Sequence, residues 1–169
     1  MRKISIFTIF YQSIYSFKDI AKFRFLGIGQ TMQYVFFLVL LYFLPTLFKN
    51  ILTDGNSSFL LPGFDAGSKA IMLPVFIIST YILNAGILFL KISILAGAAL
   101  LLGKLLKRKL PYRQSWRLTA FSITFPSLFF GLIPLFNIDI PFATLIDFAI
   151  ALFFIYGSIS KIPRPKNKM

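Results

Sequence analysis

Between Ala70 and Gly103 the chain runs for 34 residues with a single charged side chain, Lys91. A straight helix of that length reaches about 50 Å, whereas the hydrocarbon core of a bilayer is about 30 Å thick. The run is therefore one long helix, an interfacial segment joined to a span, or two spans. Three more stretches have the length and apolarity of a crossing. Ile28–Phe48 carries no charge, Leu118–Phe136 contains Pro126, and Phe142–Ser160 carries Asp147. Residues 49–69 between the first two runs are rich in Gly, Ser, Asn and Asp and read as a loop, with a turn at Asp54-Gly55. Asn137–Pro141 reads as a short turn.

Composition agrees with lipid as the solvent. Hydrophobic residues make up 57% of the 169 and charged ones only 14%, and mean hydropathy is +0.81. A soluble domain is about a quarter charged, and 14% is too little to coat a globular surface. The expected fold class is all-α, a polytopic membrane helical bundle of four spans. Residues 1–27 form a cytoplasmic amphipathic segment, 28–160 the transmembrane helical domain (spans 28–48, 70–103, 118–136 and 142–160), and 161–169 a basic tail.

In residues 4–25, Phe7, Phe10, Tyr11, Ile14 and Phe17 recur at helical spacing, while Lys18, Lys22 and Arg24 supply charge. This pattern predicts an amphipathic helix lying in the membrane interface. The apolar run after Arg2 and Lys3 is short and has no small-residue cleavage site, so no cleaved signal is expected.

The net charge of +13, from 18 basic and 5 acidic residues, raises the question of nucleic acid. The arrangement of the charges answers it. If Ala70–Gly103 crosses once, residues 1–27, 104–117 and 161–169 share one side and carry five, six and four basic residues. The other side holds only Lys49 and Lys69, beside Asp54, Asp65 and Asp139. That asymmetry is a positive-inside signal, with both termini cytoplasmic. Two crossings in Ala70–Gly103 would give five spans and largely remove the bias, so four are preferred and five stay open. Loop 104–117 then faces the cytoplasm. Lys104, Lys107, Arg108, Lys109, Arg113 and Arg117 would meet anionic lipid headgroups, with Trp116 as an interfacial anchor. No element that reads or stacks on bases is visible, so no nucleic-acid partner is expected.

The chain has no Cys, no His and no Glu. Disulfides, thiolate nucleophiles, zinc-finger ligands and histidine bases are thereby excluded. No two of the five Asp residues lie close together in sequence, so no metal site, cofactor or catalytic group is expected. Lys91 and Asp147 are the only ionisable residues inside apolar spans, and such groups are costly in lipid. They pair if the membrane core of the second helix is Asn84–Gly103. If that core is Ile71–Leu90, Lys91 snorkels to the inner edge and the pair does not form. Small residues form possible packing seams: Ser79, Gly86, Ser93 and Gly97 on one helix face, Ser127 and Gly131 on another, and Ala143, Asp147 and Ala151 on a third. Ser122 and Thr124 could satisfy the carbonyl that Pro126 frees.

The stretches SIYSFKDIAKFRFLGIGQTMQYVFFLVLLYFLP, KLLKRKLPYRQSWRLTAFSITFPSLFFGL and the closing SKIPRPK resemble an uncharacterised bacterial membrane family, domain of unknown function 1189, distantly similar to Yip-type multispan proteins. Members generally carry a larger region between the first two spans, which here is short. The resemblance implies a Gram-positive cytoplasmic-membrane protein and supplies no catalytic residues. Some members are named for maltodextrin utilisation. Three functions compete. The leading one is a non-enzymatic accessory, scaffold or regulatory component of a membrane complex, with sugar uptake the complex the resemblance suggests and other membrane proteins or further copies of itself as partners. The alternative is a small oligomeric transporter or channel-like protein with Lys91 and Asp147 lining the path. An enzyme acting on lipid suffers from the missing His, Cys and Glu.

The charge asymmetry generates one test. Replacing Lys104, Lys107, Arg108 and Lys109 by Gln is expected to weaken or scramble the orientation of the chain, read by labelling single introduced Cys residues against a Cys-free background. Salt-sensitive DNA binding by the purified protein, lost in the Gln variant, would contradict the membrane reading of this loop.

Overall fold

The computed structural model describes residues 5–54, 66–136, 138 and 140–163. Among them the chain is all-helical. It comprises α1 (Ile6–Tyr15), α2 (Phe17–Phe23), α3 (Ile28–Asp54), α4 (Ala66–Leu105), α5 (Tyr112–Ser122), α6 (Thr124–Leu132), a 3-10 turn (Ile133–Phe136) and α7 (Ala143–Ser160). Three helices, α3, α4 and α7, are long and apolar enough to cross a membrane, the mark of a membrane protein. Asp54 ends α3, and the rest of the predicted Asp54-Gly55 turn lies outside the described residues. Helix α3 runs six residues past the predicted span and α4 begins four residues before it, so both take in parts of the stretch read as a loop.

Helix α4 is continuous over 40 residues. A continuous helix cannot fold back, so Ala70–Gly103 crosses at most once, and the five-span alternative falls. Its end is a Schellman motif. Lys107 adopts left-handed φ 52°, Arg108 N–H donates to the Gly103 carbonyl at 2.9 Å, and Lys107 N–H to the Lys104 carbonyl at 3.0 Å. The stop turns Arg108 onto the last turn of α7. There its guanidinium donates to the Ile162 carbonyl and, at 3.3 Å, to the Ser160 carbonyl. A cation there also complements the negative end of the helix dipole.

The third predicted span is corrected in form. Leu118–Phe136 is not one helix but the end of α5, then α6 and the 3-10 turn, with the break at Ile123. Pro126 explains it. Its ring excludes the carbonyl four residues back and it has no N–H, so a first turn accommodates it best, although Pro45 and Pro74 stand inside α3 and α4. The break at Ile123 puts it in the first turn of α6. Ser122 and Thr124 do not serve the carbonyl that Pro126 frees. Their hydroxyls donate to the Leu118 and Phe121 carbonyls at 2.9 and 2.7 Å.

Helices α5 and α6 together form the centre of the molecule. Ser115, Leu118, Thr119, Ala120, Phe121, Ser122, Ile123 and Thr124 are all fully buried. Small and hydroxylated residues let neighbours approach closely here, and their hydrogen bonds tie helices together. Ser115 Oγ donates to the Ala96 carbonyl of α4 at 2.8 Å, and Tyr34 of α3 shares a 2.6 Å hydrogen bond with Thr124. On the α3–α4 seam, Tyr81 OH donates to the Phe36 carbonyl at 3.1 Å.

The N-terminal segment is two helices rather than one. It breaks at Ser16 into α1 and α2, and the α2 N-terminus is closed reciprocally. Asp19 N–H donates to Ser16 Oγ at 3.3 Å, while Ser16 Oγ donates to Asp19 Oδ2 at 2.7 Å. Hydrogen bonds from Lys22 and Ser16 hold the Asp19 carboxyl below the usual range. Helix α1 packs lengthwise against the bundle. Phe7 and Phe10 meet the ring of Phe37, halfway along the apolar part of α3, and Phe17 lies against Phe153 and Phe154 of α7. Ile9 and Ser13 are buried, whereas Phe7 is 72% and Tyr15 74% exposed. The physical reason is charge placement: residues 5–15 carry none, and Lys18, Lys22 and Arg24 all fall in or after α2.

The small-residue stripes divide into used and unused ones. A Cβ at Gly131 would lie 2.8 Å from the Tyr42 ring, and one at Gly157 3.1 Å from Phe17. At Gly86 and Gly97 a Cβ would meet nothing within 4 Å, so that stripe is not a seam within the chain. Gly131→Ala is therefore expected to lower stability by about 1–3 kcal/mol through overpacking. Gly97→Ala should be neutral or stabilising by up to about 1 kcal/mol through reduced backbone entropy. Thermal unfolding of the two variants in the same detergent checks the contrast.

Candidate functional site

The two charges of the apolar helices meet. Lys91 Nζ of α4 lies 2.5 Å from Asp147 Oδ2 of α7, with side chains 12% and 16% exposed. The alternative in which Lys91 snorkels away from Asp147 is not the one adopted. Asp147 is four residues into α7, about 6 Å from its start, and Lys91 stands 14 residues, about 21 Å, before the end of α4. The Lys91 ammonium also lies 5.8 Å from the centre of the Phe148 ring, within cation–π range.

The pair forms one wall of a cavity of about 420 Å3 between α3, α4, α6 and α7. Val39, Ile87, Leu88, Phe130 and Phe148 supply its apolar lining, and Asn84, Ser127, Thr144 and Tyr42 its other polar groups. Two oxygens on this lining have no hydrogen-bond partner among the described residues: Asp147 Oδ1 and Ser127 Oγ. Ser127 is 3% exposed, so its hydroxyl is not open to bulk solvent. Asn84, by contrast, donates its amide to the Thr80 carbonyl at 2.8 Å.

The sequence singled out Lys91 and Asp147, but it assigned Ser127 to a packing stripe and passed over Asn84. A lone amide and a lone hydroxyl in apolar helices are weak signals until the fold turns them toward a common space. Among the described residues no group of three or more His, Cys, Asp or Glu could hold a metal ion.

The basic residues of loop 104–117 are placed unevenly. Lys104, Lys107, Lys109 and Arg113 are exposed and free to meet an anionic surface. Arg108 is occupied by the end of α7. Arg117 is partly buried, with Nε unpartnered, and Trp116 stacks on Phe89 of α4 with ring centres 6.0 Å apart. Trp116 thus packs between helices as well as near the basic end.

Breaking the ion pair from one side strands a charge in an apolar setting, at an expected cost of about 3–5 kcal/mol. Lys91→Met and Asp147→Leu should each lower thermal stability, and the double variant should recover part of the loss. Strict additivity of the two effects would mean that the pair carries no coupling energy.

No curated protein and no solved structure matches the chain. A family model described as protein of unknown function (DUF1189) matches residues 7–59 and 64–159. That match covers most of the 169 residues, and the chain belongs to the DUF1189 family.

Proposed function

We propose that the protein is a non-enzymatic multi-pass component of the bacterial cytoplasmic membrane that docks onto other membrane proteins as an accessory, scaffold or regulatory subunit. A sugar-uptake system is the complex the family resemblance suggests. Four crossings, by α3, α4, the α5–α6 pair and α7, put both termini and residues 104–117 in the cytoplasm. The clustering of Lys104, Lys107, Lys109, Arg113 and Lys161 at one end of the bundle supports this orientation, with anionic lipid rather than nucleic acid as the charged partner.

The observation that carries the docking role is α4. It continues for about twenty residues beyond the level at which α7 begins, with Ile71, Val75, Ile78, Ile82 and Leu83 exposed. Farther along, Gly86 and Gly97 leave an open groove on the outward face. Small residues on an apolar helix admit a second helix at close range. Because none of the described residues occupies that groove, filling it separates docking from folding. Gly86→Leu with Gly97→Leu should leave thermal stability within about 1 kcal/mol of the parent. The same variant should lose the proteins that co-purify from native membranes. Unchanged co-purification would overturn the docking reading.

The cavity beside Lys91 and Asp147 favours a second reading, a small oligomeric transporter. Solute flux in liposomes that is abolished by the Lys91→Met/Asp147→Leu double variant would favour it over the first.

A further inference from the structure

The cavity does not stand alone on the α4–α7 seam. Below it, toward the basic end, Ala98, Leu101 and Leu102 of α4 face Ala149, Leu152 and Tyr156 of α7 across an apolar groove. From Lys91 to Leu102 is eleven residues, about 16 Å along the helix and close to half the hydrocarbon thickness. Leu90 and Ile94 on the cavity rim, Leu101 in the groove and Phe153 beside it are all exposed, so the seam opens sideways onto whatever surrounds the bundle. The seam thus carries a polar head space and, farther along the same two helices, an open apolar groove.

The head space states its own chemistry. Lys91 and Asp147 neutralise each other, so the site as a whole carries no net charge. An anionic head would compete with Asp147 for Lys91 and place like charges together, and a cationic head would do the reverse. What is left over is an acceptor without a donor, Asp147 Oδ1, and a hydroxyl without a partner, Ser127 Oγ. The ammonium has three donors and Asp147 takes one of them. A hydroxyl answers both needs, because it donates to Asp147 Oδ1 and accepts from Lys91 or Ser127.

We propose that the α4–α7 seam is a binding site for an uncharged lipid with a hydroxyl-bearing head, of the acylglycerol class, its head beside Lys91, Asp147 and Ser127 and its chain along Ala98–Leu102 and Ala149–Tyr156. The site is centred on a different face of α4 from the docking one: Gly86 and Gly97 point about a third of the circumference away from Lys91 and Ala98.

The test uses the full chain in nanodiscs of zwitterionic lipid. The probe is a monoacylglycerol carrying a photoreactive diazirine in its acyl chain, compared with the fatty acid and the lysophosphatidic acid of the same chain. Saturable crosslinks confined to 98–102 and 149–156, competed by unlabelled monoacylglycerol, are expected. The two charged lipids should label about tenfold less, the equivalent of one lost hydrogen bond to a charged group. Ala149→Trp fills the groove at an exposed position and should abolish labelling without lowering thermal stability. Ser127→Ala should weaken it. Equal labelling by all three lipids, labelling spread over the whole bundle surface, or labelling indifferent to both variants would each overturn the proposal and leave only a shell of bulk lipid.

Discussion

A charge cannot stand alone in an apolar medium, and the architecture of the α4–α7 half of the molecule follows from that constraint. Among the described residues, Lys91 and Asp147 are each other's only charged partner. Their pairing sets the relative height of two helices that otherwise present near-uniform apolar surfaces and could slide. With that height fixed, Ala98 and Leu102 come opposite Ala149 and Leu152, and the cavity and groove on the seam follow. The pair is costly to desolvate, and an apolar pair of similar volume could be as stable. What it contributes is register.

The other half is organised by hydroxyls. Helices α5 and α6 are buried on nearly every side although they carry five Ser and Thr residues between Ser115 and Thr124 and at Ser127. Ser122 and Thr124 turn back on carbonyls three or four residues before them, and two hydroxyls bridge to neighbours, Ser115 to α4 and Thr124 to Tyr34 of α3. Central position thus goes to the least apolar of the long segments. Lipid tails offer nothing to a hydroxyl, whereas neighbouring helices do. The longest and most uniformly apolar helix, α4, instead sits with one face outward, where lipid or a partner helix meets it at no polar cost.

Not every oxygen is satisfied: Thr119 Oγ1 in the core has no partner among the described residues, and neither do Ser127 Oγ and Asp147 Oδ1 at the cavity. Elsewhere hydroxyls such as those of Ser93, Ser122 and Ser158 reach a carbonyl four residues back. Ser127 could be expected to do likewise, yet its oxygen is left over on the same wall as Asp147 Oδ1. A buried polar group left unpaired costs more than a hydrogen bond returns, and the site proposed above would relieve that cost at both oxygens.

Much of this was legible in the sequence. The lengths of the apolar runs determine that the chain is helical and suited to lipid. The absence of Cys, His and Glu removes whole classes of chemistry, and the isolation of Lys91 and Asp147 makes them the residues to watch. These are properties of single residues and single segments. The tertiary structure decided the rest, because the rest depends on which faces meet. The sequence could not tell that the uncharged α1 packs along the bundle, since helical spacing looks the same for a helix on a surface and one within a core. It could not tell a glycine stripe that is packed from one that is open: Gly131 lies under Tyr42, while Gly97 faces outward. Nor could it choose between the two registers of α4, because an apolar helix slides along its own axis with little change in local energy. The contact between one ammonium and one carboxylate, on residues 56 apart in the chain, removes that freedom together with the ties from Ser115 to Ala96 and from Arg108 to the end of α7.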